Sequence, residues 1–320
     1  MSLLISCVVV IIGFTLLIKG ANWMVNGASS LAKKHNVSDL AIGLTIVAFG
    51  TSAPELVVNS VASINSHSDI VFGNVIGSNN FNLFVILGIV GLICPIAVQT
   101  STVWKEIPIS FIAVLVLFFL VNGFGFQEDD ILSRIDGFIL FSLFVLFLLY
   151  VYKQLKTEIG EIETTKAVQS NFKIWGLISI GLVGLIVGGK LVVDNAIQIA
   201  TNLGVSQKII GLTIIAAGTS LPELVTSVVA AFKKNSDIAI GNIIGSNIFN
   251  ILLILSVSSF VNPIKFDVVF NTDIYLLGGG TIFLFTAMFT GEKKKLDRWE
   301  AVILITVFVG YTIYLIGKEI

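Results

Sequence analysis

Residues 37–82 recur without a gap as residues 205–250, and 28 of the 46 aligned positions are identical. The offset is constant at 168: Val37 matches Val205, Gly43 matches Gly211, Glu55 matches Glu223, Asp69 matches Asp237 and Asn82 matches Asn250. A self-similarity of this length means that the chain is built from two copies of one structural unit. The copies lie in apolar sequence. The chain of 320 residues is 55% hydrophobic and 12% charged, whereas a soluble globular chain carries about one-quarter charged residues. These features predict an all-α polytopic membrane protein whose working parts lie inside the bilayer.

Apolar runs of membrane-spanning length predict ten transmembrane helices. They cover about 2–32, 39–65, 70–93, 104–121 and 131–152 in the first half, and about 172–201, 207–232, 237–260, 267–290 and 297–317 in the second. Residues 1–152 then form the first five-helix repeat, 153–171 a linker, and 172–320 the second five-helix repeat. An odd number of spans per copy turns the second copy upside down, giving two inverted five-helix repeats, an architecture of secondary transporters. The linker mixes Lys153, Lys156, Glu158, Glu161, Glu163 and Lys166 and is too short for a folded domain. Lys33, Lys34, Lys105, Lys233, Lys234, Lys293, Lys294, Lys295 and Arg298 fall on the linker side, against Arg134, Lys208, Lys265 and Lys318 on the other. The positive-inside rule makes the linker cytoplasmic and both termini extracellular, in the plasma membrane. The first apolar run continues past Ile18 without a small-residue cleavage site and is read as a span, not a signal peptide.

Within each copy, one stretch puts a carboxylate at membrane depth: Gly50-Thr51-Ser52-Ala53-Pro54-Glu55, and Gly218-Thr219-Ser220-Leu221-Pro222-Glu223. An acidic residue at the centre of a span costs about 2.5–3.5 kcal/mol on insertion scales, so Glu55 and Glu223 mark a functional site. Proline removes a backbone donor and frees the carbonyl four residues earlier, here that of Gly50 and of Gly218. A second motif follows in each copy, Gly73-Asn74-Val75-Ile76-Gly77-Ser78-Asn79-Asn80-Phe81-Asn82 and Gly241-Asn242-Ile243-Ile244-Gly245-Ser246-Asn247-Ile248-Phe249-Asn250. Its glycines have the spacing of close helix packing. Ser78 with Asn82, and Ser246 with Asn250, share a helix face, and Asn74 and Asn242 suit interhelical hydrogen bonds. Together the motifs offer two carboxylates, the hydroxyls of Thr51, Ser52, Thr219, Ser220, Ser78 and Ser246, and the amides of Asn82 and Asn250. Oxygen donors of this kind suit hard cations such as Ca²⁺ and Na⁺.

Other classes find no support. A net charge of −1 gives no nucleic-acid footprint. Cys7 and Cys94 have no metal-ligand spacing, and His35 and His67 sit in short polar connections. There is no nucleophile–base pair and no phosphate loop, so the chain is not read as an enzyme and no cofactor is expected.

The two motifs of each repeat resemble those of the cation/calcium exchanger superfamily, with the prokaryotic sodium/calcium exchangers as the most similar branch. The resemblance spans the whole chain and implies an antiporter that exchanges Na⁺ for Ca²⁺ across the bilayer by alternating access. It implies that Glu55 and Glu223 are central Ca²⁺ ligands assisted by Thr51 and Thr219. It further implies that the carbonyls of Ala48 and Ala216, with Ser52, Ser220, Ser78 and Ser246, line sodium sites. Part of the family has an aspartate at one member of the Asn82/Asn250 pair, whereas both positions are asparagine here. The partners are then Ca²⁺, Na⁺ and the lipid bilayer, with a monomer sufficient for function. A Ca²⁺/H⁺ antiporter is the alternative, and a cation channel a more distant one.

Two further expectations concern the long helices. Lys190 and Asp194, four apart, are expected to form an intrahelical ion pair. Gly13, Gly20 and Gly27 on the first span, and Gly181, Gly184 and Gly188 on the sixth, form smooth stripes on which these helices are expected to slide across the core.

Overall fold

The computed structural model describes residues 3–123, 130–157, 170–203, 216–291 and 294–319. Its helices are α1 (Leu3–His35), α2 (Asp39–Thr51), α3 (Ala53–Ile64), α4 (Ser68–Ile93), α5 (Thr102–Val121), α6 (Arg134–Thr157), α7 (Asn171–Asn202), α8 (Leu221–Phe232), α9 (Ser236–Val261), α10 (Val268–Ala287) and α11 (Arg298–Glu319). Among the described residues, eight of these are long and apolar enough to cross a membrane, and α2 with α3 makes a ninth span bent by 46°. α8 is a shorter apolar helix preceded by the turn Ala216–Gly218. The span expected at about 207–232 is thus described only in its second part, since 204–215 lie outside the described residues. The expected linker gives residues 153–157 to α6, and 158–169 lie outside the described residues.

Proline sets the bend between α2 and α3. Pro54 stands in the first turn of α3, where its missing N–H costs nothing to α3 but ends α2. Ser52 carries the break at φ −83°, ψ 6°, and Ser220 repeats it before α8 at φ −86°, ψ 8°. Among the described residues, π-helical turns occur at Gly43–Val47, Phe81–Ile86, Thr102–Glu106 and Asn250–Ile254. Two of them contain the motif asparagines Asn82 and Asn250.

α9 is the centre of the molecule: 94% of its apolar stretch is buried, against 17% for α11 at the periphery. Close approach at this centre is made by glycine. A Cβ on Gly241 would lie 2.8 Å from the Leu40 carbonyl oxygen, and one on Gly245 would lie 2.7 Å from Ala48 Cβ. Two short antiparallel ribbons stitch the halves together. Ile96–Ala97 (β1) pairs with Lys295–Leu296 (β4), and Ile131–Leu132 (β2) pairs with Ile264–Lys265 (β3).

α1 packs most extensively against α7. The glycine stripes face each other there, not the core. A Cβ on Gly20 would lie 2.8 Å from the Gly181 carbonyl oxygen, and one on Gly188 would lie 2.8 Å from that of Gly13. The expectation that the stripes form a sliding surface on the core is therefore corrected. They are consumed in locking α1 to α7 with backbone in contact, as small residues permit. The ion pair expected between Lys190 and Asp194 is also not formed. Both side chains are exposed on α7, and the structure holds no bond between them.

Candidate cation-binding site

The two glutamates begin α3 and α8 and are each 1% exposed. Each is held by the other copy's motif. Ser52 Oγ donates to Glu223 Oε1 at 3.0 Å, and Ser220 Oγ donates to Glu55 Oε1 at 3.5 Å. The threonines follow the same exchange. Thr51 Oγ1 donates to Asn242 Oδ1 at 2.9 Å, and Thr219 Oγ1 donates to Asn74 Oδ1 at 3.1 Å. Asn242 in turn donates to the Glu223 carbonyl oxygen at 3.3 Å and to Ser227 Oγ at 2.9 Å. A hydroxyl whose proton is given to an amide oxygen keeps its lone pairs for another partner. The expected interhelical role of Asn74 and Asn242 is the one observed.

The serines and asparagines of the second motif are buried nearby: Ser78, Asn82, Ser246 and Asn250 are each no more than 1% exposed. α3, with Glu55, packs on the π turn of Asn250, and α8, with Glu223, packs on the π turn of Asn82. Six side-chain oxygens of this layer have no protein partner: Glu55 Oε2, Glu223 Oε2, Ser78 Oγ, Ser246 Oγ, Asn82 Oδ1 and Asn250 Oδ1. Leaving one buried polar atom unpaired costs about 1–3 kcal/mol, so six in matched pairs mark a place built for a ligand of opposite character. Two carboxylates and four neutral oxygens are the donor set of a hard cation, not of zinc or copper. Among the described residues no cluster of three or more His, Cys, Asp or Glu side chains could hold a metal.

The structure brings the oxygens of Glu55, Glu223, Ser52, Ser220, Ser78, Ser246, Asn82 and Asn250 into one buried layer. The Ala48 carbonyl, expected to line a sodium site, accepts from Ser52 N at 3.0 Å and lies 3.3 Å from Thr51 Oγ1. The single Thr51 proton goes to the nearer Asn242 Oδ1, so the Ser52 N–H engages one lone pair of the Ala48 oxygen and the other is left for a cation. Ala216 opens the turn before α8. Residues given no role from sequence are Asn79 and Asn247, which cross-link the two π turns. The signal was present, since both close the Gly-Ser-Asn triplet in each copy. Two acids outside the site, buried Glu106 and half-buried Asp273, were also given no role. Glu106 accepts a hydrogen bond from Tyr150, and Asp273 Oδ1 accepts from Tyr311 at 2.6 Å.

A polytopic helical membrane protein with paired carboxylates and orphaned neutral oxygens at its centre belongs to the class of cation carriers. The chain belongs to the sodium/calcium exchanger protein family, which it matches over residues 5–153 and 173–317. This is a family of exchangers, not of enzymes. The chain is similar to the putative antiporter CaxA of Alkalimonas amylolytica, at 38% identity over 97% of this chain and 98% of that one. It is 30% identical to the sodium/calcium exchanger MaX1 of Methanosarcina acetivorans, over 97% and 98% of the two chains. Its fold superposes on the sodium-calcium exchanger NCX_Mj, soaked with zero Na⁺ and Ca²⁺, with a TM-score of 0.82 at 32% identity, over 98% of this chain and 100% of that one.

Proposed function

We propose that the chain is a secondary antiporter that exchanges Na⁺ for Ca²⁺ across the plasma membrane by alternating access. The observation that carries this reading is the set of six orphaned oxygens, two of them carboxylate, contributed in equal parts by the two copies. A formal charge of −2 is matched by one Ca²⁺ or by two Na⁺. Either load therefore neutralises the buried glutamates, and a site left empty pays for two charges out of water. Return of the carrier without cargo is disfavoured for the same reason, which is the condition for exchange in place of leak.

In this reading Glu55 and Glu223 are the central ligands, joined by Thr51, Thr219, Ser78, Ser246, Asn82 and Asn250. Ser52 and Ser220 hold one oxygen of each glutamate and keep the other free, and they line sodium positions with Ala48 and Ala216. The chain has ten spans in two inverted repeats of five, with both termini outside and the linker inside. The hydrogen bonds of Ser52 with Glu223 and of Ser220 with Glu55 are exchanged into one another by the repeat offset, and they support the repeat. α1 and α7, locked through their glycines, are the body that moves, and a single copy of the chain suffices.

The experiment is ⁴⁵Ca²⁺ uptake into proteoliposomes loaded with Na⁺, with and without a pH gradient. Uptake is expected to follow the Na⁺ gradient and to ignore the pH gradient. Uptake driven by the pH gradient alone would replace Na⁺ with H⁺ as the coupling ion, and downhill flux with no counter-ion would make the chain a channel.

A further inference from the structure

An asparagine in a cation site has a right way round. Its amide oxygen coordinates, whereas its NH₂ group repels, and the two ends exchange by a half-turn of the terminal torsion. Asn82 and Asn250 therefore serve a cation only if something fixes that torsion. A chain of hydrogen bonds does so, and its direction is forced by one group that can only accept.

The backbone carbonyl oxygen of Asn247 has no proton to give, so the Asn79 side chain, 3.1 Å away, must present its Nδ2 there. That leaves Asn79 Oδ1 at the other end, facing Asn250. An oxygen there needs a donor, so Asn250 must present its Nδ2, at 2.9 Å. Asn250 Oδ1 is thereby turned away and is left buried with no protein partner. The same chain runs in the opposite sense. Asn247 Nδ2 donates to the Asn79 carbonyl oxygen at 3.4 Å, and Asn82 Nδ2 donates to Asn247 Oδ1 at 3.1 Å. Asn82 Oδ1 is also buried and without a partner. Asn79 and Asn247 are themselves buried, at 0% and 3% exposure, so water does not compete for these bonds.

We propose that Asn79 and Asn247 are positioning residues that determine which end of the Asn250 and Asn82 amides the transported cation meets. The inference rests on the reading of this layer as the cation site. Each positioning residue lies on one central helix and sets a ligand on the other. The ligand set of α9 is therefore held by α4, and that of α4 by α9. It also gives a reason for two neutral asparagines where a carboxylate would need no such guide: a carboxylate has no wrong end.

That last point supplies the test. Ca²⁺ affinity of the purified full-length protein is measured by titration calorimetry for Asn79→Ala, Asn250→Asp and the double variant, with thermal unfolding followed on each. Asn79→Ala is expected to weaken Ca²⁺ binding about tenfold, the scale of one lost buried hydrogen bond. In the Asn250→Asp background the same change should cost less than about twofold, because the ligand can no longer present a nitrogen. Equal losses in both backgrounds, or no loss in either, would overturn the proposal. The mirror cycle of Asn247→Ala with Asn82→Asp provides the same reading should Asn79→Ala fail to fold. If the unaltered protein binds neither Ca²⁺ nor Na⁺, the cation-site reading itself fails; if it binds and the cycles are additive, only the positioning role does.

Discussion

α3 and α8 carry closely related sequences and begin with the same Pro-Glu pair, yet they are clothed differently. On α8, Thr226 is fully buried and Val229 is 8% exposed, while their counterparts on α3, Val58 and Val61, are 38% and 52% exposed. α1 packs over α8, with α7 beside it. The cover is fastened at its edge. Lys233 Nζ donates to the Asn22 carbonyl oxygen at 3.1 Å and to Asn26 Oδ1 at 2.8 Å, and Asn235 Nδ2 reaches Ser29 Oγ at 3.0 Å and Asp39 Oδ2 at 2.8 Å. On α7 the positions matching Asn22 and Asn26 are Lys190 and Asp194, both exposed. Among the described residues no hydrogen bond ties them to the turn at Asn65–His67. Local sequence thus decides that each copy breaks at the serine before its Pro-Glu pair and buries the glutamate. Which copy is covered is decided by where the interlocked α1–α7 pair rests, and here it rests on α8.

The largest effect should come where the copies are alike. Glu55→Gln and Glu223→Gln are each expected to abolish Ca²⁺ uptake in proteoliposomes while leaving the folded yield unchanged, since a neutral residue is easier to bury. Residual exchange by one variant alone would show that the copies differ at the site as well as in their cover. Next is the joint between α1 and α7. Gly20→Leu forces a side chain against the Gly181 carbonyl oxygen, and overpacking of this kind costs about 1–3 kcal/mol or more. A lowered melting temperature in detergent, with exchange lost, is the expected result. An unshifted melting temperature would mean that the pair is not one body.

Smaller effects test the cover itself. Val229→Asn places an amide under α1 and should destabilise by about 1–3 kcal/mol, whereas Val61→Asn, at the exposed counterpart, should change stability by less than about 0.5 kcal/mol. Equal shifts in the two melting curves would remove the asymmetry. The smallest effect is expected of Lys233→Ala, which removes an exposed fastening worth about 0.5 kcal/mol. A cysteine probe introduced as Val229→Cys, with Cys7 and Cys94 replaced by serine, should then react about twofold faster with a thiol reagent. No change would place the hold on α1 elsewhere, at Asn235.

The broken helices and the site glutamates were legible because proline and a membrane-buried carboxylate carry their consequences locally. The same holds for the hydroxyls of Thr51, Ser52, Thr219 and Ser220, which stand beside them in each copy. Asn79 and Asn247 were not legible in role, because their task depends on a backbone carbonyl of the opposite helix. The glycine stripes were legible as smooth faces, but the partner face was not. Gly20 meets Gly181 only because α1 and α7 lie side by side, and nothing within either helix names its neighbour. Lys190 and Asp194 have the spacing of an ion pair, yet spacing does not fix the rotamers that would join them. The unequal cover over α3 and α8 lies furthest from the sequence, since it is set by where α1 rests and not by the residues of either helix.

The two β ribbons have a mechanical meaning. β1 and β4 belong to the connections α4–α5 and α10–α11, and β2 and β3 to the connections α5–α6 and α9–α10. Beyond the paired strands, Val98 N bonds the Lys294 carbonyl oxygen at 2.9 Å and Phe266 N bonds that of Asp130 at 2.6 Å. The clasps tie together connections that flank α4, α5, α6, α9, α10 and α11. Neither clasp includes α1 or α7. Any force that displaces that pair is borne by side-chain contacts and by the chain on either side of it, while the clasped connections stay joined. Of the candidate cation donors, Ser78 and Asn82 on α4 and Ser246 and Asn250 on α9 stand on clasped helices, whereas Glu55 on α3 and Glu223 on α8 are tied instead by the serine of the opposite copy.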